Sequence, residues 1–386
     1  MNKSEFDTTN KYSYMNFSPD ESVSEEHRSW QGCPTVAVTK GGRIFAGWYS
    51  GGLFEPCIHN YNILVKSDDG GSTWSKPILT VGTDYNNRMR YIDIELWITE
   101  ENELWVMWVA SPYYETSVEA TILTPFNRDY HKEFLHTEMM VCKNPDADEL
   151  VWEEPRFLCK GFLRNKPIKT KSGRIIAPGY SYDGEKYTIS ISDDKGESFK
   201  VVEIEGKPDI NVFDEIMVYQ NLSGRLRLLA RTNRGFYLFS DSFDDGNTWT
   251  AAEEYEKAPS TRCYIGKLEN DNIIYVRNIS DEVRTGMKVC LSTDGGDTFS
   301  HELVLDEREN LSYPDVQEDE AGNIYIVYDR ERHNRIKLDP LTNVSGSAKE
   351  ILICKITVDD IITGKLSDTS YISRVISKAK IDKVEK

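Results

Sequence analysis

Ser67-Asp68-Asp69-Gly70-Gly71-Ser72-Thr73-Trp74 is the stretch on which the reading turns, because the chain repeats it. The pattern S-x-D-x-G-x-(T/S)-(W/F) returns at Ser192 to Phe199, Ser242 to Trp249 and Ser292 to Phe299, so the closing aromatic falls at 199, 249 and 299, a period of 50. A degenerate copy from Lys143 to Trp152 extends the series backwards. Each copy reads as a turn. The Asp carboxylate accepts backbone N–H bonds, the Gly supplies a positive φ, and the aromatic plugs back between strands.

Working outward, a second pattern is more complete. A polar or Gly turn followed by alternating apolar residues opens at Gly42-Arg43-Ile44, Asn102-Glu103-Leu104, Gly173-Arg174-Ile175, Gly224-Arg225-Leu226, Asp271-Asn272-Ile273 and Gly322-Asn323-Ile324. From Ile44 onward the spacings are 60, 71, 51, 47 and 51. Six units of this size, each with several short strands and turn clusters, predict an all-β fold: a six-bladed β-propeller with four antiparallel strands per blade. Residues 1–27 read as an N-terminal segment contributing to blade closure, 28–358 as a single propeller domain, and 359–386 as a short helical, charged tail. The extra length between 110 and 140, with Tyr113, Tyr114, Tyr130 and His131, reads as a long insertion over one blade.

Composition agrees with one large β unit and narrows the partners. Among 386 residues there are 8 Trp, 21 Tyr and 14 Phe, too many large rings for a disordered chain. With 64 acidic against 46 basic side chains the net charge is −18, which argues against nucleic acid or an anionic membrane as partner. An anionic ligand must then be met by a local cluster of Arg. The longest apolar run, Leu104 to Ala110, is far short of a membrane helix. The start of the chain has no apolar leader core and reads as cytoplasmic, although a secreted protein with its leader removed reads the same. Seven scattered Cys without a CxxC pair favour reduced, packed thiols. His131, His136 and His333 make no metal-ligand spacing, and neither a metal nor an organic cofactor is expected. The oligomeric state is left open.

The propeller expectation locates a site. Equivalent positions of the innermost strands converge on the central channel of such a fold. Eleven residues before the first apolar residue of each repeat stand Cys33, Asp93, Arg164, Glu215, Arg262 and Tyr313. This set is expensive to bury unless it lines a wet, functional cavity.

The eight-residue repeat resembles the Asp-box, or bacterial neuraminidase repeat, of sialidase-like propellers, and the resemblance covers about residues 28 to 358. It implies a retaining exo-glycosidase acting on terminal sialic acid or a related acidic sugar of a glycan or small glycoside, with a Tyr nucleophile, an adjacent Glu that activates it, and Arg residues that clamp the substrate carboxylate. Tyr313 in Leu311-Ser312-Tyr313-Pro314-Asp315 resembles the nucleophile, Glu215 its partner, and Arg231 and Arg284 two of the Arg residues. A neutral phenol avoids the repulsion that the sugar carboxylate imposes on an acidic nucleophile. Two features depart from the family. Gly32 stands where the family has its first Arg, so Arg28, Arg164 or Arg262 is a candidate to refill the clamp. The family's acid Asp has no clean counterpart, which leaves Glu55, His59 and Asp93 as candidates. Two alternatives stay open: a propeller glycosidase for a uronide or deoxy sugar, and a glycan-binding propeller without catalysis.

Overall fold

The computed structural model describes residues 14–52, 55, 58–85, 87–112, 134–180, 186–205, 215–331 and 348–381. The expected insertion with Tyr113, Tyr114, Tyr130 and His131 lies outside these residues, as do Cys57 and His333.

All six predicted hairpin turns form, and they share one construction. At the first, Gly42 N–H donates to Thr39 O and Thr39 N–H to Arg43 O, each at 2.9 Å. The same pair of bonds closes Thr99 to Glu103, Thr170 to Arg174, Asn221 to Arg225, Leu268 to Asn272 and Asp319 to Asn323. Each turn needs one residue at positive φ, and Gly42, Asn102, Gly173, Gly224, Asp271 and Gly322 supply it, from +62° at Asn102 to +90° at Gly173. Gly, Asn and Asp tolerate that conformation at least cost, which is why the repeat is visible in the sequence.

Six antiparallel sheets follow, the count and class of a six-bladed β-propeller. The first orders Met15–Asn16, Leu79–Val81, Tyr61–Ser67, Ile44–Ser50 and Gln31–Val38; the second runs Met89–Ile98, Leu104–Pro112, His136–Cys142 and Arg156–Lys160. The fourth is Ile216–Gln220, Leu226–Ala230, Phe236–Ser242 and Glu253–Lys257, and the fifth Tyr264–Lys267, Ile273–Arg277, Thr285–Ser292 and His301–Glu309. In the third sheet the two inner strands are each split, into Phe162–Leu163 with Ile168–Lys169 and Ile175–Ala177 with Gly179–Tyr180, beside Lys186–Ser192 and Lys200–Glu205. Pro167 and Pro178 sit at the two breaks and have no N–H to give the ladder.

The sixth sheet corrects the sequence reading of the chain end. Its order is Leu311–Glu318, Ile324–Arg330, Glu350–Ile356 and Tyr371–Lys378, so the segment expected as a helical tail from 359 supplies an outer strand. Among the described residues of this end, helix is limited to Val358–Thr363, capped by a reciprocal Thr357–Asp360 box and ended by Gly364 at φ +67°. Lysines near the end obscured Tyr371-Ile372-Ser373-Arg374-Val375-Ile376, whose β-branched and aromatic residues suit a half-buried strand.

By its contacts the chain divides into two compact units: Met1–Arg156 with Val327–Ile353 and Arg374–Lys386, and Phe157–Ile326 with Cys354–Ser373. In the first, residues of the first two sheets pack together around Phe45, Leu64, Trp108 and Trp152. In the second, Met217, Tyr219 and Tyr237 of the fourth sheet meet Ile265, Tyr275 and Cys290 of the fifth. Phe299, the aromatic closing the last eight-residue repeat, plugs this second core 5.3 Å from the Tyr275 ring. Trp74 does the same against Trp48 and Val65.

Candidate active site

Three of the six inner-strand positions share an unusual backbone. Cys33, Asp93 and Tyr313 have φ of +55°, +56° and +53° inside their strands. At the first two the ladder slips, between Gly32 and Thr35 and between Ile92 and Glu95. None is Gly, and a left-handed residue of this kind costs roughly 1–3 kcal/mol, persisting only where its surroundings over-determine it. Such bulges re-aim a side chain. At Tyr313 the redirected phenol enters a cluster of charges within the second unit.

Tyr313 hydroxyl donates to Glu215 Oε1 at 2.6 Å. Arg231 Nη1 donates both to Glu215 Oε2 at 2.8 Å and to the Tyr313 oxygen at 3.0 Å, so the three side chains form a closed triangle. Local structure brings Glu215 and Arg231 together: Glu215 precedes the strand Ile216–Gln220, Arg231 follows its partner Leu226–Ala230, and Arg231 N–H bonds Glu215 O at 3.2 Å. Side chains opposed across a ladder are in reach of one another.

Three more guanidiniums surround the phenol. The central carbons of Arg164, Arg262 and Arg284 lie 5.4, 5.5 and 5.8 Å from the Tyr313 ring centroid. Arg164 also stands 3.9 Å from Glu215 Oε1. Glu215, Tyr313, Arg231 and Arg262 are buried. Burial by itself pushes the Glu215 carboxyl up, but Arg231, Arg164 and the Tyr313 hydrogen bond outweigh it and hold the group at about 2. Four guanidiniums gather about this carboxylate and the phenol, a grouping of planar donors suited to an anion.

Ser260 was not singled out from the sequence. Its hydroxyl accepts from Arg231 Nε at 3.3 Å and Nη2 at 3.2 Å, while its carbonyl accepts from Arg284 Nη2 at 2.9 Å. One serine thus orients two guanidiniums. Lys166 and Asp315, a buried pair at 3.0 Å, were missed as well. A lone Ser, Lys or Asp carries no local signal of such a role.

The remaining candidates belong to the first unit. Glu55 is bonded by the Tyr49 hydroxyl and lies 4.0 Å from Cys33 Sγ, whose backbone N–H donates to Asp329 Oδ2 at 2.8 Å. Asp93 is buried, and His59 is exposed. Arg28 is engaged by the protein itself: Nε donates to Val23 O at 2.8 Å, Nη1 to Ser377 Oγ at 2.8 Å and Gln31 Oε1 at 3.2 Å, and the group stacks over Trp48. It ties the N-terminal segment to the last strand beside a cavity of about 280 Å³, and these bonds account for its burial without a ligand. Among the described residues no cluster of His, Cys, Asp or Glu suits a metal ion, and no helix is long and apolar enough to cross a membrane.

Fold and site together define a six-bladed β-propeller with a tyrosine–glutamate pair set among arginines. Residues 143–326 match the model of the BNR repeat-like domain. The chain thus carries a BNR repeat-like domain within a six-bladed β-propeller. It is similar to a variant of the NanB sialidase of Streptococcus pneumoniae at 14% identity and TM-score 0.64, over 94% of this chain and 73% of that one. The intramolecular trans-sialidase of Ruminococcus gnavus matches at 14% identity and TM-score 0.66, over 90% and 98%. A Dyadobacter fermentans protein of unknown function matches at 16% and 0.62, over 83% and 96%. At such identities the likeness is one of fold. None of the curated protein sequences matches the chain.

Proposed function

We propose that this propeller is a retaining exo-glycosidase for a terminal acidic sugar, sialic acid being the first candidate. The observation that carries the reading is the closed triangle of Tyr313, Glu215 and Arg231 with three further guanidiniums around the phenol ring. Tyr313 attacks the anomeric carbon while Glu215 accepts its proton and the bond to the leaving-group oxygen breaks, that oxygen departing protonated; water then cleaves the glycosyl-tyrosine, releasing the sugar and restoring the phenol. The surrounding cations favour the phenolate that attack requires and bind the sugar carboxylate. In an acidic protein this cluster is a local attractor for an anion.

A second reading, a glycosidase for a different acidic sugar such as a uronide, is favoured by one feature: Gly32 stands where the resemblance expects an Arg. Chromogenic sialosides and uronides separate the two. The nucleophile is tested with a fluorinated sugar, expected to label Tyr313 in the wild type and not in Tyr313→Phe. Full turnover by both Tyr313→Phe and Glu215→Ala on every glycoside the wild type cleaves overturns the reading. The leaving-group acid is sought among Glu55, Asp93 and His59. Its removal is expected to silence substrates with poor leaving groups while sparing activated aryl glycosides.

A further inference from the structure

The segment that carries Tyr313 is held by Lys166 and Asp315, charges that the proposed chemistry does not use, as well as by Arg262, which it does. Lys166 Nζ donates to the Val316 carbonyl at 2.8 Å and pairs with Asp315 Oδ2 at 3.0 Å. Lys166 is buried and Asp315 is fully so. Arg262 Nη2 donates to the Pro314 carbonyl at 3.1 Å, and its Nη1 to the Arg164 carbonyl. Upstream, Asn278 Nδ2 donates to Leu311 O at 3.0 Å. The three residues after Tyr313 are thus gripped at two carbonyls, those of Pro314 and Val316, and at the Asp315 carboxylate, while Tyr313 itself is at φ +53°.

One short segment does much of this. Arg164 presents its guanidinium to the Tyr313 ring and to Glu215, and Lys166, two residues on, anchors the backbone on which that ring is mounted. Removing an ammonium and a carboxylate from water is costly, and a buried pair of this kind is weak evidence for a contribution to stability. A merely structural pair is therefore replaceable by apolar side chains of similar volume. A pair that holds a strained residue is not replaceable, because the left-handed backbone relaxes once its tether is gone.

We propose that Lys166 and Asp315 are positioning residues: the pair locks the Pro314–Val316 backbone so that Tyr313 stays left-handed with its hydroxyl on Glu215. The catalytic part of this inference rests on the reading of Tyr313 as nucleophile; the structural part does not.

The test is the double variant Lys166→Met with Asp315→Leu, compared with Lys166→Arg and the wild type. Thermal unfolding, kcat and KM on an aryl sialoside, and crystal structures are the readouts. In the double variant kcat is expected to fall about 100-fold with KM changed less than about threefold, the size of loss that an ångström-scale misplacement produces. Its unfolding temperature should stay near wild type, and Tyr313 should leave positive φ and lose its bond to Glu215. Lys166→Arg, which keeps a cation on Val316 O and Asp315, should restore most of kcat. A folded double variant with wild-type kcat, or with Tyr313 still left-handed on Glu215, overturns the proposal. If the wild type turns over no sialoside or uronide, the nucleophile reading fails by itself, and the Tyr313 geometry in the variant crystals still decides the positioning claim. Should the double variant not fold, Lys166→Ala, in which water can hydrate Asp315, is judged by the same geometry.

Discussion

Glu215 keeps its negative charge in a place where burial argues against it, and the cause is the guanidiniums of Arg231 and Arg164. Its carboxyl is held at about 2, so it is ionised across the whole range in which an enzyme works. The sign follows from the depression: the stabilisation is fully present above the ordinary carboxylate range and is lost as pH falls toward 2. The acid limb of kcat/KM is therefore expected to owe nothing to Glu215 above about pH 3. If the protein cleaves a glycoside as proposed, a pH–rate profile on that substrate checks this, and an acid limb attributable to Glu215 near pH 5 contradicts it. Arg231 bonds Glu215 and Tyr313 through Nη1 while its Nε and Nη2 hold Ser260, a planar set of donors that Lys lacks. Arg231→Lys should lower kcat/KM by about 10² or more, on the scale of losing one oriented donor to a reacting group, with folding retained.

At the scale of the element, the eight-residue turns rest on one carboxylate each. Asp69 Oδ1 accepts the Thr73 N–H at 2.8 Å and Oδ2 the Thr73 hydroxyl at 2.7 Å; Asp194, Asp244 and Asp294 repeat these bonds with Ser198, Thr248 and Thr298. The hydroxyl bonds hold all four carboxyls low, about 2 for Asp69 and Asp194, with Ser192 the largest influence on Asp194. Protonation removes these acceptors, so their stabilisation is present above about pH 4 and fades as pH falls toward 2. Asp194→Asn should flatten part of the acid-side loss of unfolding temperature, a comparison for calorimetry between pH 2 and 6. In the last turn Gly296 is at φ +87°, and a Cβ there would meet Tyr219 Oη at less than contact distance. Gly296→Ala should destabilise by about 1–3 kcal/mol through strain and displacement of that ring. These elements were legible because their chemistry is short-range: Ser, Asp, Gly and Thr lie within seven residues. The left-handed residues Cys33, Asp93 and Tyr313 were not, since none of them is Gly, and Cys33 N–H and the segment after Tyr313 are held from distant parts of the chain.

At the scale of the molecule, the chain end is part of a blade. Tyr371–Lys378 is the outer strand of the sixth sheet, and around it Ala379 N–H donates to Lys349 O, Lys380 N–H to Glu25 O, and Ile381 N–H to Arg28 O. Arg28 and Gln31 reach Ser377 from the N-terminal side. Truncation after Ser370 removes this strand, leaves Glu350–Ile356 as a bare edge, and deprives buried Arg28 of a partner. The unfolding temperature is expected to fall by roughly 10 °C, with aggregation through the exposed edge, measurable by calorimetry and light scattering. A shift within a degree or two contradicts this.

The repeating parts were legible in the residues alone: six hairpin turns that demand Gly, Asn or Asp at positive φ, four carboxylate-centred turns with their closing aromatics, and Tyr313 and Glu215 at one offset from the turns. Each depends on interactions between residues close along the chain, so composition and spacing encode it. Only the tertiary structure decided which Arg residues share Glu215, that Arg28 serves the fold, that Ser260 orients two guanidiniums, and that Lys166 and Asp315 stand behind Tyr313. Those contacts join residues as much as 349 positions apart. Their meaning lies in distance and burial, and no local pattern records either.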